Sequence, residues 1–158
     1  MNTYEELQNV ACKDGIDVVD YSFKSDRIKG LYCDNTIAIS KKLKTQAEKS
    51  CILAEELGHH YTSSGDILEQ TDVMNRKQEY RARLYGYNLK IGLTGLIRAY
   101  ESGCRNFYEM AEYLDATEEY LKEAIDCYKS KYGLCVSVDN YIIHFEPFAV
   151  MHIFSLED

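Results

Sequence analysis

The sequence predicts an α+β protein. Three observations carry this. Capping boxes and other helix-start signals open long segments of helical period. Short runs rich in Val, Ile and Tyr alternate between them and turn residues. Runs of strands and runs of helices are segregated rather than alternating one by one, which argues against a parallel α/β sheet.

Each element has a local reason. Thr3-x-x-Glu6 is a capping box ahead of Leu7, Val10 and Ala11, and Gly15 stops that helix. Ile16–Phe23, Gly30–Cys33 and Thr36–Ile39 read as strands, with Asp34-Asn35 as a tight turn making a hairpin of the last two. A small β-ribbon therefore occupies the first forty residues. Thr45-x-x-Glu48 opens a helix over Thr45–Thr62, followed by a loop at Ser63-Ser64-Gly65-Asp66. A long helix runs from Asn75 to Leu89. Gly92 and Gly95 interrupt it before Leu96–Tyr100, and Gly103 closes the stretch. The final third reads as Asn106–Leu114, a turn at Asp115-Ala116-Thr117, and a Thr117-capped helix over Glu118–Tyr132 ending at Gly133. This pair has helix-turn-helix-like proportions. Leu134–Val138 and Tyr141–Phe145 form a terminal hairpin around Asp139-Asn140.

With 158 residues, the chain is expected to be one compact domain, with a core over 1–100 and a helical pair plus β end over 101–158. It is 46% hydrophobic with one proline, which excludes general disorder. Its net charge of −8 argues against direct nucleic-acid binding, since phosphate affinity comes from Lys and Arg. The C-terminal helical pair gives the same answer: Cys104–Tyr132 holds seven acids against four bases. Six cysteines at scattered spacings, with no Cys-x-x-Cys, read as free thiols in a reducing compartment. The N-terminus lacks signal-peptide character and no apolar run is long enough for a membrane span. A cytoplasmic location without membrane attachment is the expectation.

The chemistry concentrates in Leu53-Ala54-Glu55-Glu56-Leu57-Gly58-His59-His60-Tyr61. On a helix, residues four apart lie nearly in line. Glu55 and His59 share one edge, and Glu56 and His60 another. Zinc peptidases use this spacing in His-Glu-x-x-His, with two ligands at i and i+4 and a general base at i+1. Here Glu55 stands at the first ligand position, Glu56 at the base position and His59 at the second ligand position. A carboxylate can ligate zinc. The extra negative charge makes a coordinated water less acidic and favours oxygen-preferring metals such as manganese. The same residues also suit a solvated acidic helix face, with histidines placed at its C-terminus.

This motif, with Gly30-Leu31-Tyr32-Cys33-Asp34-Asn35-Thr36-Ile37 before it and Asn75-Arg76-Lys77-Gln78-Glu79-Tyr80-Arg81-Ala82 after it, resembles the ImmA/IrrE family of metallopeptidases of phages and mobile elements. The resemblance extends from about Asp17 to Phe145. It implies a zincin-like helical core carrying a small sheet. It implies Glu79 as a third ligand beside Glu55 and His59, where the residues alone also allow a surface carboxylate among Arg76, Lys77, Arg81 and Arg83. It implies Zn2+, with Mn2+ as the alternative, and metal-assisted peptide hydrolysis with Glu56 as general base. His60 has three possible roles: a hydrogen bond to the oxyanion, orientation of Glu56, or replacement of the missing histidine ligand. A bond to neighbouring backbone is the plainer alternative. The implied activity is that of an anti-repressor that cleaves a helix-turn-helix repressor. The alternative is a non-catalytic pseudo-peptidase that sequesters a repressor or a toxin–antitoxin partner.

Overall fold

The computed structural model describes residues 3–62 and 72–153, apart from the side chains of residues 72 and 73. The loop expected at Ser63–Asp66 lies outside the described residues. The protein is α+β, with helices and two small three-stranded sheets. The chain forms two compact units, Met1–Lys90 and Ile91–Asp158.

The first unit begins with α1 (Tyr4–Lys13). The Thr3 hydroxyl accepts from the Glu6 N–H, and the chain turns out through Gly15 at φ +72°. Three strands follow: β1 (Asp17–Tyr21), β2 (Gly30–Cys33) and β3 (Thr36–Ser40). Asp34 and Asn35 join β2 to β3 with φ of 46° and 58°. A two-residue turn of this hand matches the twist of a hairpin, and Asp and Asn tolerate it. The hairpin therefore forms as the turn residues predict. The sheet is larger than a ribbon. β1 pairs parallel to β3, with Val18 opposite Ile37, giving the order β1-β3-β2. A parallel partner needs no local turn, so no turn signature announces it.

α2 (Gln46–Thr62) opens on the expected cap: the Glu48 N–H donates to the Thr45 hydroxyl at 3.1 Å. α3 (Asp72–Lys90) begins three residues before the helical pattern predicts. The core of the unit joins Leu7 and Ala11 of α1, Ile37 and Ile39 of β3, and Leu53, Ala54 and Leu57 of α2. Each large aliphatic side chain buried there contributes about 1.5–3 kcal/mol. The sheet and α1 are thus fixed to the apolar face of α2, and that fixes everything placed on its other faces.

The second unit holds α4 (Gly92–Glu101), α5 (Phe107–Tyr113), α6 (Glu118–Tyr132) and the strands β4 (Cys135–Val138), β5 (Tyr141–Phe145) and β6 (Phe148–His152). Gly92 at φ +69° marks the break before α4, which starts earlier than Leu96. Asn106 and Thr117 cap α5 and α6 through their side chains. Leu121, Ala124 and Tyr128 of α6 are buried, as are Ile143 and Phe145 of β5. His144 alternates to the other face, where its Nδ1 meets the Pro147 carbonyl at 2.8 Å. The terminal hairpin has a third strand: β6 pairs antiparallel with β5. Pro147 precedes that strand rather than interrupting it, so the ladder continues beyond the residue that signals a stop. No two cysteines are bonded to each other. No helix among the described residues is long and apolar enough to cross a membrane.

Candidate metal centre

The site follows from how α2 divides its circumference. Residues at i and i+4 form nearly straight stripes on a helix. One stripe, Ala54 and Gly58, meets α3. A Cβ on Gly58 would stand 2.1 Å from the Ala82 carbonyl oxygen, and one on Gly86 would stand 2.9 Å from the Ala54 carbonyl oxygen. Small residues on both helices therefore let the two backbones touch. A second stripe, Ile52 and Glu56, meets β2. A Cβ on Gly30 would stand 2.5 Å from Ile52 Cγ2 and 3.2 Å from Glu56 Cγ. Glu55 and His59 form the stripe between these two contacts, facing the gap between α3 and the strand.

The close helix crossing delivers Glu79 to that gap. Glu79 lies one turn before Ala82 on α3, on the neighbouring stripe with Arg83. Its Oε2 is 3.5 Å from His59 Nε2, and its Oε1 accepts from Arg83 Nε at 3.2 Å. Glu55, His59 and Glu79 each present a ligand atom, and these atoms lie within 4.8 Å of one another. They are the one group of three or more His, Cys, Asp or Glu side chains so arranged among the described residues. All three are half-buried. This Glu-His-Glu group could hold a metal ion. The donor chemistry fits: one imidazole nitrogen and two carboxylates give three protein ligands, the number that leaves a coordination position open in catalytic zinc sites.

Glu56 sits beside the group and does not belong to it. Burial raises its pKa to about 7, and the negative charges of Glu55 and Glu79 push the same way. The Tyr32 backbone N–H donates to its carboxylate and opposes the rise. His60, one turn further on, has its Nδ1 2.7 Å from the Tyr32 hydroxyl. Its ring meets Tyr32 and Tyr61 edge-on, with centroids 5.2 and 4.9 Å away. Tyr61 is occupied elsewhere: it stacks on Tyr85 of α3 at 5.0 Å, and its hydroxyl donates to Asp14. It ties α1, α2 and α3 together rather than facing the ligand group.

The five residues singled out from the sequence therefore lie on adjoining surfaces. Glu55, His59 and Glu79 converge, Glu56 flanks them, and His60 lies on the β2 side. Tyr32 is the neighbour that sequence reasoning missed. Alternation along β2 carried a usable signal, since Gly30 and Tyr32 share one face while Leu31 and Cys33 are exposed on the other. No family model, curated protein or solved structure matches the chain.

Proposed function

We propose that this chain is a metal-dependent endopeptidase that acts as an anti-repressor, cutting a helix-turn-helix repressor of a phage or mobile element. The observation that carries the reading is the convergence of Glu55, His59 and Glu79 within 4.8 Å, with Glu56 beside them and poised near pH 7. The motif resemblance to ImmA/IrrE peptidases supplies the substrate class. It also leads us to read the first unit as zincin-like and the α5–α6 pair as helix-turn-helix-like.

A divalent ion held by the three ligands, Zn2+ or Mn2+, supplies polarisation of the scissile carbonyl and acidification of a water. Glu56 takes the proton of the attacking water and delivers it to the leaving amine. A carboxylate with a pKa near the working pH serves both transfers. In the metal-free protein burial and the two neighbouring carboxylates raise its pKa to about 7, and an ion held by Glu55 and Glu79 would lower it from there. His60 donates a hydrogen bond to the carbonyl oxygen as it gains charge. The acidic balance of the chain, −8 overall, suits a protein that acts in the cytoplasm on a DNA-binding partner without binding DNA itself.

The test is co-expression with a helix-turn-helix repressor encoded nearby, comparing wild type with Glu56→Ala. Cleavage by wild type alone is expected. Equal cleavage by both would remove Glu56 as the base. A tight complex without cleavage would replace the peptidase by a pseudo-peptidase that sequesters its partner.

A further inference from the structure

We propose that the second unit carries a docking groove for an extended segment of a basic partner protein, which adds as a strand to the open edge of β6 and seats one large apolar side chain between β6 and α5. The segment is recognised by that apolar residue with a Lys or Arg two positions away.

The edge comes first. β6 is the outer strand of the order β4-β5-β6, so one of its edges has no strand partner among the described residues. Such an edge presents backbone N–H and C=O groups ready to pair. Proteins that keep an edge from pairing place charges, above all Lys, or Pro on it. β6 reads Phe148-Ala149-Val150-Met151-His152 and carries no Lys, Arg, Asp, Glu or Pro.

A cavity of about 460 Å³ lies against this strand, within the size range of ligand sites. Phe148, Ala149 and Val150 line one side of it, and Tyr100, Phe107 and Met110 the other. The Phe107 and Phe148 rings approach to 5.7 Å between centroids. Successive side chains of a strand point to opposite faces. Three consecutive residues lining one cavity therefore mean that it meets β6 along its edge rather than on one face. Through their partners on β5, Phe148 and Val150 share a face with the buried Phe145 and Ile143. A strand added beside β6 extends that apolar face, so every second side chain points into the cavity.

Charge selects the partner. The second unit holds twelve Asp and Glu against five Lys and Arg, nearly the whole acidic excess of the chain. A smaller cavity of about 310 Å³ adjoins the apolar one at Cys104 and is lined by Glu109 and Glu112. Arg105, on the apolar cavity, is the one Lys or Arg along either. A side chain two positions from the apolar anchor points the same way, about 7 Å further along the strand. A Lys or Arg there is drawn to the two carboxylates. The same acidity opposes a second copy of this chain as the occupant, since like charges repel.

The experiment uses the full chain and the labelled peptide Thr-Lys-Thr-Leu-Thr-Lys-Thr as probe, followed by fluorescence anisotropy and amide NMR. Binding is expected to perturb the amides of Cys104–Met110 and Phe148–Val150. Replacing the peptide Leu by Ser is expected to weaken binding roughly tenfold. N-methylation of one alternate set of peptide amides is expected to abolish binding, and of the other set to be tolerated, because a strand pairs through one edge. Glu112 is exposed, so Glu112→Lys leaves the fold intact; it is expected to weaken binding about fivefold at low salt and less at high salt. No binding, equal binding of the Ser peptide, or equal tolerance of both methylated sets overturns the proposal. So do perturbations that spare β6, and an affinity unmoved by Glu112→Lys. A chain that dimerises through β6 and is not displaced by the peptide gives the edge to a second copy and overturns it too. None of these readouts involves a metal or cleavage, so failure of the peptidase reading leaves them intact.

Discussion

The Cβ that Gly58 lacks would lie 2.1 Å from the carbonyl oxygen of Ala82. The obstacle is backbone, so no side chain can rotate away to admit a methyl group. Gly58→Ala is expected to lose about 3 kcal/mol of stability in urea unfolding, the upper end of ordinary overpacking. Gly86→Ala, with 2.9 Å to the Ala54 carbonyl, should lose less, about 1–2 kcal/mol. The same displacement carries Glu79 away from His59, so divalent-ion binding should weaken along with stability. A Gly58→Ala protein as stable as wild type would mean that the two helices are not held this close.

That contact marks where sequence reading stops. Local signals were legible: Thr3, Thr45 and Thr117 cap helices where their side chains predict, and Asp34-Asn35 turns the hairpin. Each is a matter of a few neighbouring residues. The stripe of Glu55 and His59 was legible for the same reason, because helical period alone puts them on one edge. The partners of that edge were not. Ala54 and Gly58 read as ordinary helix residues until Ala82 and Gly86 lie against them. Glu79 was placed by family resemblance, while its physical route to the site is the glycine crossing. Tyr32 is 28 residues from His60, and no local rule spans that distance. β1 escaped the hairpin description because its parallel pairing with β3 needs no local turn, and β6 because Pro147, in the short turn after β5, reads as a stop.

The ligand group gives a prediction independent of any substrate. Titration calorimetry with Zn2+ and with Mn2+ should give one site per chain. Glu79→Gln and His59→Ala should each weaken it by at least roughly tenfold, and Glu55→Gln should do the same if the carboxylate truly stands in for a histidine. Full-strength binding by Glu55→Gln would reduce the set to two ligands.

Arg83 tests the electrostatics of the same site. Its guanidinium holds Glu79 at 3.2 Å and places a positive charge where a second cation is to bind. The pair is largely exposed, so its contribution is at most about 1 kcal/mol. Arg83→Ala is therefore expected to tighten divalent binding by up to about fivefold. Weaker binding in that variant would mean that Arg83 orients Glu79 more than it competes with the ion.

Glu56 predicts how the metal-free protein responds to pH. Its folded pKa of about 7 lies above its ordinary value of 4.5 because burial and the Glu55 and Glu79 charges disfavour the anion. Below pH 4.5 the carboxyl is protonated whether the chain is folded or not, and it adds no electrostatic cost. Between 4.5 and 7 the folded state keeps a proton that the unfolded state has released. Stability must therefore fall as pH rises through that window and level off above it. The full effect is on the order of 3 kcal/mol. Asp26 and Glu146 shift the other way through their bonds to Lys42 and Lys129, but these pairs are common to wild type and variant and cancel in the comparison. Glu56→Gln removes the charge without removing the shape. It should be more stable than wild type at pH 8 and nearly equal to it at pH 4.5. Saturation with a divalent ion should narrow the gap, because positive charge beside Glu56 favours its anion. A stability difference between the two proteins that does not change with pH would show that Glu56 is not buried against its neighbours as the site requires.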